Sequence, residues 1–233
     1  CRTSGICTIA WSCFSISRNL NGKLMTIRKG QEWGHFEARP ADLQVVADDF
    51  SASELISSQT LDVKSPLQLS IIKSGLTRTL GVKNASHNNQ QMLCTKFDVI
   101  EANFVTVNSD TVIRRCFVGH AFVRSNPFFG QTIAILNTSF IGNRDWAPRA
   151  HPNDGKLDVV ELDSSMNIRQ RLTAFRLMKS GSHLPHPKIR YTQVNEYVID
   201  NQFSASISIE GVRLGAIKKC DFKVLPDAVN LYW

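Results

Sequence analysis

Two carboxylates, Asp154 and Asp158, stand four residues apart around a tight turn, where they could bind a divalent cation. Asn153 and Gly155 flank the first of them, and Asn-Asp-Gly after a proline predicts a turn that opens into a strand. Such a turn places both carboxylates beside exposed backbone carbonyls. Hard cations such as Mg²⁺ prefer oxygen ligands of these kinds. The alternative is a plain turn in which Asp158 only forms hydrogen bonds within the loop.

Three histidines raise the question of a zinc site. His183 and His186 are three residues apart, and His151 precedes the Asp-Gly turn. Pro185 and Pro187 exclude a regular helix there, and no cysteine or acidic residue stands at metal-site spacing. The pattern therefore favours a packed turn.

The overall composition indicates a globular protein with a basic surface. The chain has 233 residues, 42% of them hydrophobic, with a net charge of +7. This length accommodates one large or two small domains. No apolar run reaches the ~18 residues that a membrane span needs. Anions of several kinds would be attracted, but no aromatic-basic repeat or zinc-finger spacing indicates nucleic acid. We expect a cytoplasmic protein, with peripheral attachment to an anionic membrane as the alternative.

The cysteines and the start of the chain carry little chemistry. Six cysteines show no C-x-x-C spacing and are expected to be reduced, small hydrophobic residues: Cys1, Cys7, Cys13, Cys94, Cys116 and Cys220. The first 24 residues do not resemble a signal peptide. A lipidated terminus at Cys1 is the alternative to a natural initiator at Met25.

The amino-terminal third alternates short strands and helices. A strand is expected at Thr26–Arg28, a second at Leu43–Ala47 and a helical turn at Ser51–Ser57. A third strand at Leu67–Ile72 then precedes a short helix at Leu76–Leu80. This is a strand, helix, strand, helix order in miniature.

Beyond Gly81 the pattern is that of an antiparallel sandwich or barrel, because short runs rich in Val, Ile and Phe alternate with polar turns. The predicted strands are Phe97–Ile100, Val112–Val118, Thr132–Leu136, Leu157–Leu162, Arg190–Ile199, Phe203–Ile209 and Cys220–Leu225.

One helix interrupts these strands. Its apolar positions recur at helical spacing, with a cap expected at Ser164 or Ser165 and an end at Gly181. The apolar positions are Ile168, Leu172, Phe175 and Met178, and the basic positions away from them are Arg169, Arg171, Arg176 and Lys179. A solvated basic face is favoured over a helix that rests on anionic headgroups.

Five segments, in order, resemble the diacylglycerol kinase and sphingosine kinase family. Ala147–Val160 resembles the motif AP-x-A-x-x-DDG-x-LDVV. Leu43–Glu54 falls where the family has GGDGT and then N-E. Leu69–Gly81 falls where the family has G-T-G-N-D-x-A-R-x-L-G. Gly181–Pro187 is similar to G-x-H-x-x-HP, and Ile209–Gly211 to V-D-G-E. Several such matches in order are more specific than any one of them.

The resemblance implies an α+β fold of the NAD kinase/diacylglycerol kinase-like type. Residues 25–81 would be a reduced α/β nucleotide domain after an extension at 1–24, and residues 82–233 a β-sandwich that forms the other wall of the cleft. The implied site residues are Asp49 and Glu210 for catalysis, Ser51, Ser74 and Arg78 for the nucleotide, and Asp154, Leu157 (through its carbonyl) and Asp158 for Mg²⁺.

The first phosphate loop departs from the family pattern. Glycines hold phosphates because their backbone approaches closely and adopts positive φ angles. Here Ala47, Asp48 and Phe50 replace the three glycines of GGDGT, and a carboxylate at position 48 would repel a triphosphate.

The second loop and the base position depart as well. Ser74 and Gly75 replace the family's Asn and Asp, while Arg78 remains. Glu210 replaces the Asp that acts as general base and could still accept a proton, but Val212 replaces the second acid. We therefore expect a non-catalytic protein that binds a lipid, an anionic membrane surface or a protein partner, and ATP binding is not favoured. The alternative is an active ATP-dependent lipid kinase.

Overall fold

The computed structural model describes residues 34–61, 65–79, 90–126 and 128–233, without the side chains of residues 77–78 and 201–204. The strand expected at Thr26–Arg28 and the extension at residues 1–24 lie outside the described residues. So does the expected domain boundary at residue 81, and the proposed division into domains stays a prediction.

The first part of the described chain alternates strands and helices. Its elements are β1 (His35–Ala38), β2 (Gln44–Asp48), α1 (Asp49–Ser57), β3 (Leu67–Lys73), α2 (Gly75–Thr79) and β4 (Gln91–Thr106).

The second part consists mainly of strands. Its elements are β5 (Val112–Phe117), β6 (His120–Arg124), β7 (Thr132–Leu136), β8 (Phe140–Ile141), β9 (Arg144–Asp145), β10 (Leu157–Leu162), α3 (Ile168–Leu177), β11 (Ile189–Val194), β12 (Glu196–Ile209) and β13 (Val212–Tyr232). None of the helices in the described residues is long and apolar enough to span a membrane.

Eleven strands form one continuous sheet. Its main path runs β1-β4-β13-β12-β6-β7-β10-β11, with β5 beside β4 and β3 beside the end of β13; β8 and β9 form a separate hairpin. The pairs along the main path are antiparallel, whereas β2–β3 and β3–β13 are parallel. Parallel neighbours need a crossover, and α1 supplies the one between β2 and β3. The α+β class and the sandwich predicted from the sequence are confirmed.

Helix α1 packs its apolar side against the start of the sheet. Ala52 and Ile56 are fully buried, together with residues of β3, β4 and the end of β13. Ser53 donates a hydrogen bond to the carbonyl of Cys116, whose amide donates to Ser57 Oγ at 2.8 Å. The helix is therefore fixed to the edge strand β5 by polar bonds as well as by apolar packing, and this fixes the position of Asp49 at its first turn.

The antiparallel part encloses a separate core. Its largest fully buried side chains include Phe104, Phe117 and Phe222, and the rings of the last two meet edge to face. The free thiols of Cys94, Cys116 and Cys220 are buried. For these three residues the expected reduced, apolar role is confirmed; the other three cysteines lie outside the described residues.

The predicted strands differ from the structure mainly in length and breaks. The predicted strand Arg190–Ile199 is wrong as one element, because β11 ends at Val194 and β12 begins at Glu196. Asn195 between them donates a side-chain bond to the carbonyl of Gly155. The predicted strand Phe203–Ile209 is the second half of β12, and the strand predicted as Cys220–Leu225 runs from Val212 to Tyr232.

The predicted cap and buried side of helix α3 are wrong. Asn167 caps the helix, in a capping box with Gln170. Of the four apolar positions at helical spacing, only Met178 is buried, whereas Ile168, Leu172 and Phe175 are 40%, 48% and 39% exposed.

The buried polar residue of α3 is Arg171. Its guanidinium donates to the carbonyls of Met166, Asp163 and Gly130 and to Thr132 Oγ1. One arginine therefore ties α3 to the loop between β6 and β7, and this arrangement leaves the apolar stripe of the helix on the surface.

Candidate functional site

The centre of the site is the Glu210 carboxylate in the turn between β12 and β13. Glu210 and Gly211 have φ angles of +46° and +83°, as a two-residue hairpin turn with positive φ at both positions requires. The side chain of Glu210 is only 1% exposed. Glu210 Oε1 accepts a 2.7 Å bond from the Gly119 amide, and its amide donates to the carbonyl of His120 at 3.0 Å.

The turn between β5 and β6 is built to receive this carboxylate. A Cβ atom at Gly119 would lie 2.8 Å from Glu210 Oε2, so only glycine allows the close approach. His120 Nδ1 lies 3.1 Å from Glu210 Oε2, and its amide is 3.3 Å from both oxygens. Glu210 is therefore enclosed by backbone and imidazole donors, and His120, whose side chain is 16% exposed, is the more accessible member of the pair.

Asp49 is the second carboxylate of the site. It stands at the start of α1, where its Oδ2 accepts a 2.9 Å bond from the Gly75 amide and its Oδ1 accepts a bond from the Ser74 hydroxyl. Burial is the main cause that raises the pKa of Asp49 to about 6, and the negative charge of Glu210 is the second cause. Asp49, at the junction of β2 and α1, therefore lies near Glu210, in the turn between β12 and β13. We call these two residues the acid pair.

The predicted cation turn lies in a second polar region. Asp158 Oδ1 accepts bonds from the Tyr191 hydroxyl and, at 2.9 Å, from Gln193 Nε2, while its buried Oδ2 has no hydrogen-bond partner among the described residues. Burial is the main cause that raises the pKa of Asp158 to about 6, and the charge of Asp154 adds to the increase. A buried carboxylate oxygen with no partner beside a second carboxylate fits a hard cation such as Mg²⁺.

The same turn is held from below by Asp98. This residue is 1% exposed, and it accepts bonds from the amides of Gly155 at 2.7 Å and Asp227 at 3.0 Å. Burial raises its pKa to about 6. Asn137 links this region to the acid pair. Its side-chain Nδ2 donates to the carbonyls of Asp98 and Val118, and its backbone amide donates to the carbonyl of Gly119.

The comparisons with known proteins agree with this geometry. Residues 120–233 match the family described as YegS C-terminal NAD kinase beta sandwich-like domain. This part of the chain, residues 120–233, is therefore a β-sandwich domain of the NAD kinase/diacylglycerol kinase-like type. No curated protein sequence matches it significantly.

Two solved structures from Bacillus anthracis str. Sterne have a fold similar to that of this chain. One, of a diacylglycerol kinase, has a TM-score of 0.52 at 13% identity, with 82% of this chain and 75% of that chain covered. The other, of a candidate diacylglycerol kinase, has a TM-score of 0.56 at 12% identity, with 82% and 77% covered. At these identities the likeness concerns the fold alone.

The structure brings together three of the site residues implied by the superfamily resemblance: Asp49, Ser74 and Glu210. Ser51 instead bonds to Asp48, and the side chain of Arg78 lies outside the described residues. Leu157 is fully buried at the start of β10, next to Asp158.

Two polar residues of these regions are not among the site residues predicted from the sequence. From the sequence, Gly119 and His120 are interpreted as core or loop packing, with a position beside a ligand cleft as the alternative. Asp98 lies within the predicted apolar strand Phe97–Ile100 and was assigned no role of its own. A single carboxylate among apolar residues is unusual and is the signal that could have identified it.

The three histidines of the turns all meet backbone atoms or neighbouring loops. His183 Nε2 lies 3.1 Å from the carbonyl of Trp146, and the Lys188 amide donates to His186 Nδ1 at 3.1 Å. The amide of Asn153 donates to His151 Nδ1 at 3.3 Å. These contacts are those of packed turns.

The raised pKa of Asp49 predicts a pH-dependent effect of the variant Asp49→Asn. The folded-state value of about 6 exceeds the ordinary value of 3.8, so the stabilisation from the bound proton is complete below about pH 4 and is lost as the pH rises through 6. We expect Asp49→Asn to raise the free energy of unfolding by about 1–3 kcal/mol at pH 8, with a difference that shrinks towards pH 4. Urea unfolding at pH 4, 6 and 8 measures it.

The matched control is Asp42→Asn, an exposed aspartate in the loop before β2. It should change the free energy of unfolding by less than about 0.5 kcal/mol at each pH. A difference for Asp49→Asn that is the same at pH 4 and pH 8 would contradict the prediction.

Proposed function

We propose that this protein is a non-catalytic, lipid-binding member of the diacylglycerol kinase-like family whose nucleotide site no longer binds ATP. The observation that carries the proposal is that two carboxylates of the chain itself fill the helix N-termini where a nucleotide would place its phosphates.

Asp48 occupies the first of these N-termini. Its Oδ1 accepts bonds from the amide and the hydroxyl of Ser51, both at 2.8 Å, and thereby caps α1. Free amides at a helix N-terminus are what bind phosphate in nucleotide sites. An anion from the protein already uses this position, and its charge repels a second one.

Asp49 does the same at the second junction, through its bonds with Ser74 and Gly75. The backbone between β2 and α1 also lacks the shape of a phosphate loop, since residues 44–57, all of them described, include no positive φ angle. A turn of this kind cannot wrap around a phosphate as a glycine-rich loop does.

A lipid ligand is supported by the surface of α3. Five apolar side chains of this helix and of the β6–β7 loop, which we call the apolar face, are between 39% and 59% exposed: Phe128, Phe129, Ile168, Leu172 and Phe175. A groove of about 210 Å³ lies at this face and is closed below by Trp146 and Met178. An exposed apolar patch on a protein of this kind indicates an interaction site.

The charges around the apolar face favour an anionic lipid surface over a protein partner. Five basic residues lie on or beside it: Arg124, Arg144, Arg169, Arg176 and Lys179. Arg144 covers the ring of Phe175 at 3.7 Å. Apolar side chains that enter the headgroup region, with cations that meet the phosphates, are typical of interfacial helices.

An aromatic series connects the apolar face to the acid pair. The rings of Phe175 and Trp146 are 6.3 Å apart, those of Trp146 and Phe122 5.1 Å, and those of Phe122 and His120 5.6 Å. These ring contacts therefore couple the position of α3 to that of His120 beside Glu210.

An active lipid kinase is the second candidate, and the Glu210–His120 pair favours it. A buried carboxylate that holds an imidazole at 3.1 Å is a suitable arrangement for taking a proton from a lipid hydroxyl. What opposes this candidate is the phosphate region, where both junctions carry carboxylates.

The first test is a calorimetric titration with Mg-ATP. We expect a dissociation constant on the order of 1 mM or weaker, because Asp48 and Asp49 already use the donors. Asp48→Gly combined with Phe50→Gly should strengthen binding by opening the first turn. Micromolar affinity of the wild type would support the kinase candidate instead. In that case Glu210→Gln should remove phosphoryl transfer and leave the fold intact, since the amide cannot accept a proton.

The second test concerns Mg²⁺ at the turn of Asp154 and Asp158, the cofactor that this proposal retains. A cation that binds only the folded state raises the melting temperature as its concentration increases. Millimolar MgCl₂ should raise the melting temperature of the wild type, and Asp154→Asn should abolish the increase. The exposed Asp200→Asn serves as the control and should keep it. An unchanged wild-type melting curve would leave only a hydrogen-bonded turn.

The third test is co-sedimentation with vesicles. Binding to anionic vesicles should decrease from low to physiological salt, and alanine at Arg169, Arg176 and Lys179 together should weaken it, each residue contributing about 1 kcal/mol. Phe128→Ser with Phe129→Ser should weaken binding to anionic vesicles at both salt concentrations, and neutral vesicles should bind poorly.

The matched control is Phe36→Ser, an aromatic residue that is 72% exposed on β1, away from α3. This variant should bind anionic vesicles as the wild type does. If the variants at the apolar face sediment like the wild type, or if the wild type does not bind, the membrane role is wrong.

A further inference from the structure

Three side chains with metal-binding atoms meet on one side of the sheet, on strands β1 and β4. His35 and Glu37 are two residues apart on β1 and therefore point to the same side. Cys94 lies directly opposite His35 in the antiparallel register. The ligand atoms of the three residues all lie within 4.8 Å of one another, and they are the one such group of three or more among the described residues.

We propose that His35, Glu37 and Cys94 bind a divalent cation of the Zn²⁺ class. A thiolate, an imidazole and a carboxylate are the three ligand types that Zn²⁺ takes in proteins. Two of them carry a negative charge when bound, so together they neutralise the dication. The presence of sulfur selects a borderline-soft metal and disfavours Mg²⁺ and Ca²⁺.

The three side chains lie at different depths in the protein surface. Cys94 is only 2% exposed at the base of the group, whereas the side chains of His35 and Glu37 are 67% and 38% exposed. Three protein ligands with an open fourth position are typical of zinc sites that also bind water or a small ligand. The metal would face solvent and would hold the short edge strand β1 on β4.

Neighbouring polar groups already orient the carboxylate. Tyr232 lies opposite Cys94 on β13, and its hydroxyl donates to Glu37 Oε1. The same hydroxyl is 2.6 Å from Gln68 Oε1. Outer residues that fix a ligand in this way are characteristic of metal sites. The group is separate in chemistry from the turn of Asp154 and Asp158, which offers oxygen ligands alone.

Cobalt substitution tests the proposal directly. The full chain is stripped with a chelator and titrated with Co²⁺, whose thiolate charge-transfer band and visible bands report a sulfur ligand in a tetrahedral site. We expect both bands to appear, Zn²⁺ to displace them at one equivalent, and millimolar Mg²⁺ to leave them unchanged. Zn²⁺ should also raise the melting temperature.

Variants assign the bands to this group. Cys94→Ala should abolish the charge-transfer band, and Cys116→Ala, which removes another buried free thiol on a strand, should keep it. If Cys94→Ala does not fold, the exposed His35→Ala gives the same information through loss of the visible bands. Tyr232→Phe should weaken Zn²⁺ binding by about tenfold, the effect of losing an orienting residue.

Two results would overturn the proposal. One is the absence of any Co²⁺ band in the wild type. The other is a charge-transfer band that survives in Cys94→Ala or, where that variant does not fold, visible bands that survive in His35→Ala, because the sulfur ligand would then belong to a different part of the chain. Cys1, Cys7 and Cys13 lie outside the described residues, and the comparison between variants separates their contribution.

Discussion

The buried carboxylate of Glu210 is the interaction on which the rest of the site depends. It enters the sandwich from a two-residue turn, where donors from Gly119 and His120 satisfy it. A carboxyl group that is 1% exposed is costly to bury unless each oxygen is hydrogen-bonded. The hairpin β12–β13 and the turn β5–β6 must therefore keep their relative position. Gly119 makes this possible because a Cβ atom would collide with the carboxylate.

This constraint extends through Asn137 to the turn of Asp154. Asn137 is 1% exposed and its bonds connect the backbone below Glu210 with that of Asp98, which in turn holds Gly155. Two polar regions that are far apart in sequence thus share one network of backbone bonds. Buried networks of this kind fix geometry when their members are satisfied. Among the described residues, Asn137 Oδ1 and Asp158 Oδ2 are two buried atoms without a hydrogen-bond partner, and a cation at the turn would satisfy the second of them.

The sequence predicted the parallel part of the fold well and the surface of α3 poorly, for different physical reasons. Strands β2 and β3 and the helices between and after them are short apolar runs bounded by polar caps, so local pattern decides them. Helix α3 has an apolar stripe that local pattern assigns to the core. Arg171 overrides this, because its buried guanidinium satisfies carbonyls of Gly130, Met166 and Asp163. Two of these carbonyls, of Asp163 and Gly130, are 8 and 41 residues away from Arg171 in the sequence. The periodicity of the helix sequence cannot reveal such hydrogen bonds.

The proposed loss of nucleotide binding agrees with a fold in which the chain's own carboxylates cap two helix N-termini. In a nucleotide site the helix N-termini obtain their anion from the ligand. Here Asp48 and Asp49 supply one each, so the junctions β2–α1 and β3–α2 are satisfied within the chain. The cost falls on Asp49, because burial and the charge of Glu210 raise its pKa to about 6. A protein under selection to bind ATP would gain from releasing these amides. In the proposed lipid-binding role these amides would stay capped, because satisfied junctions fix α1 and keep Asp49 in place beside Glu210 without a ligand.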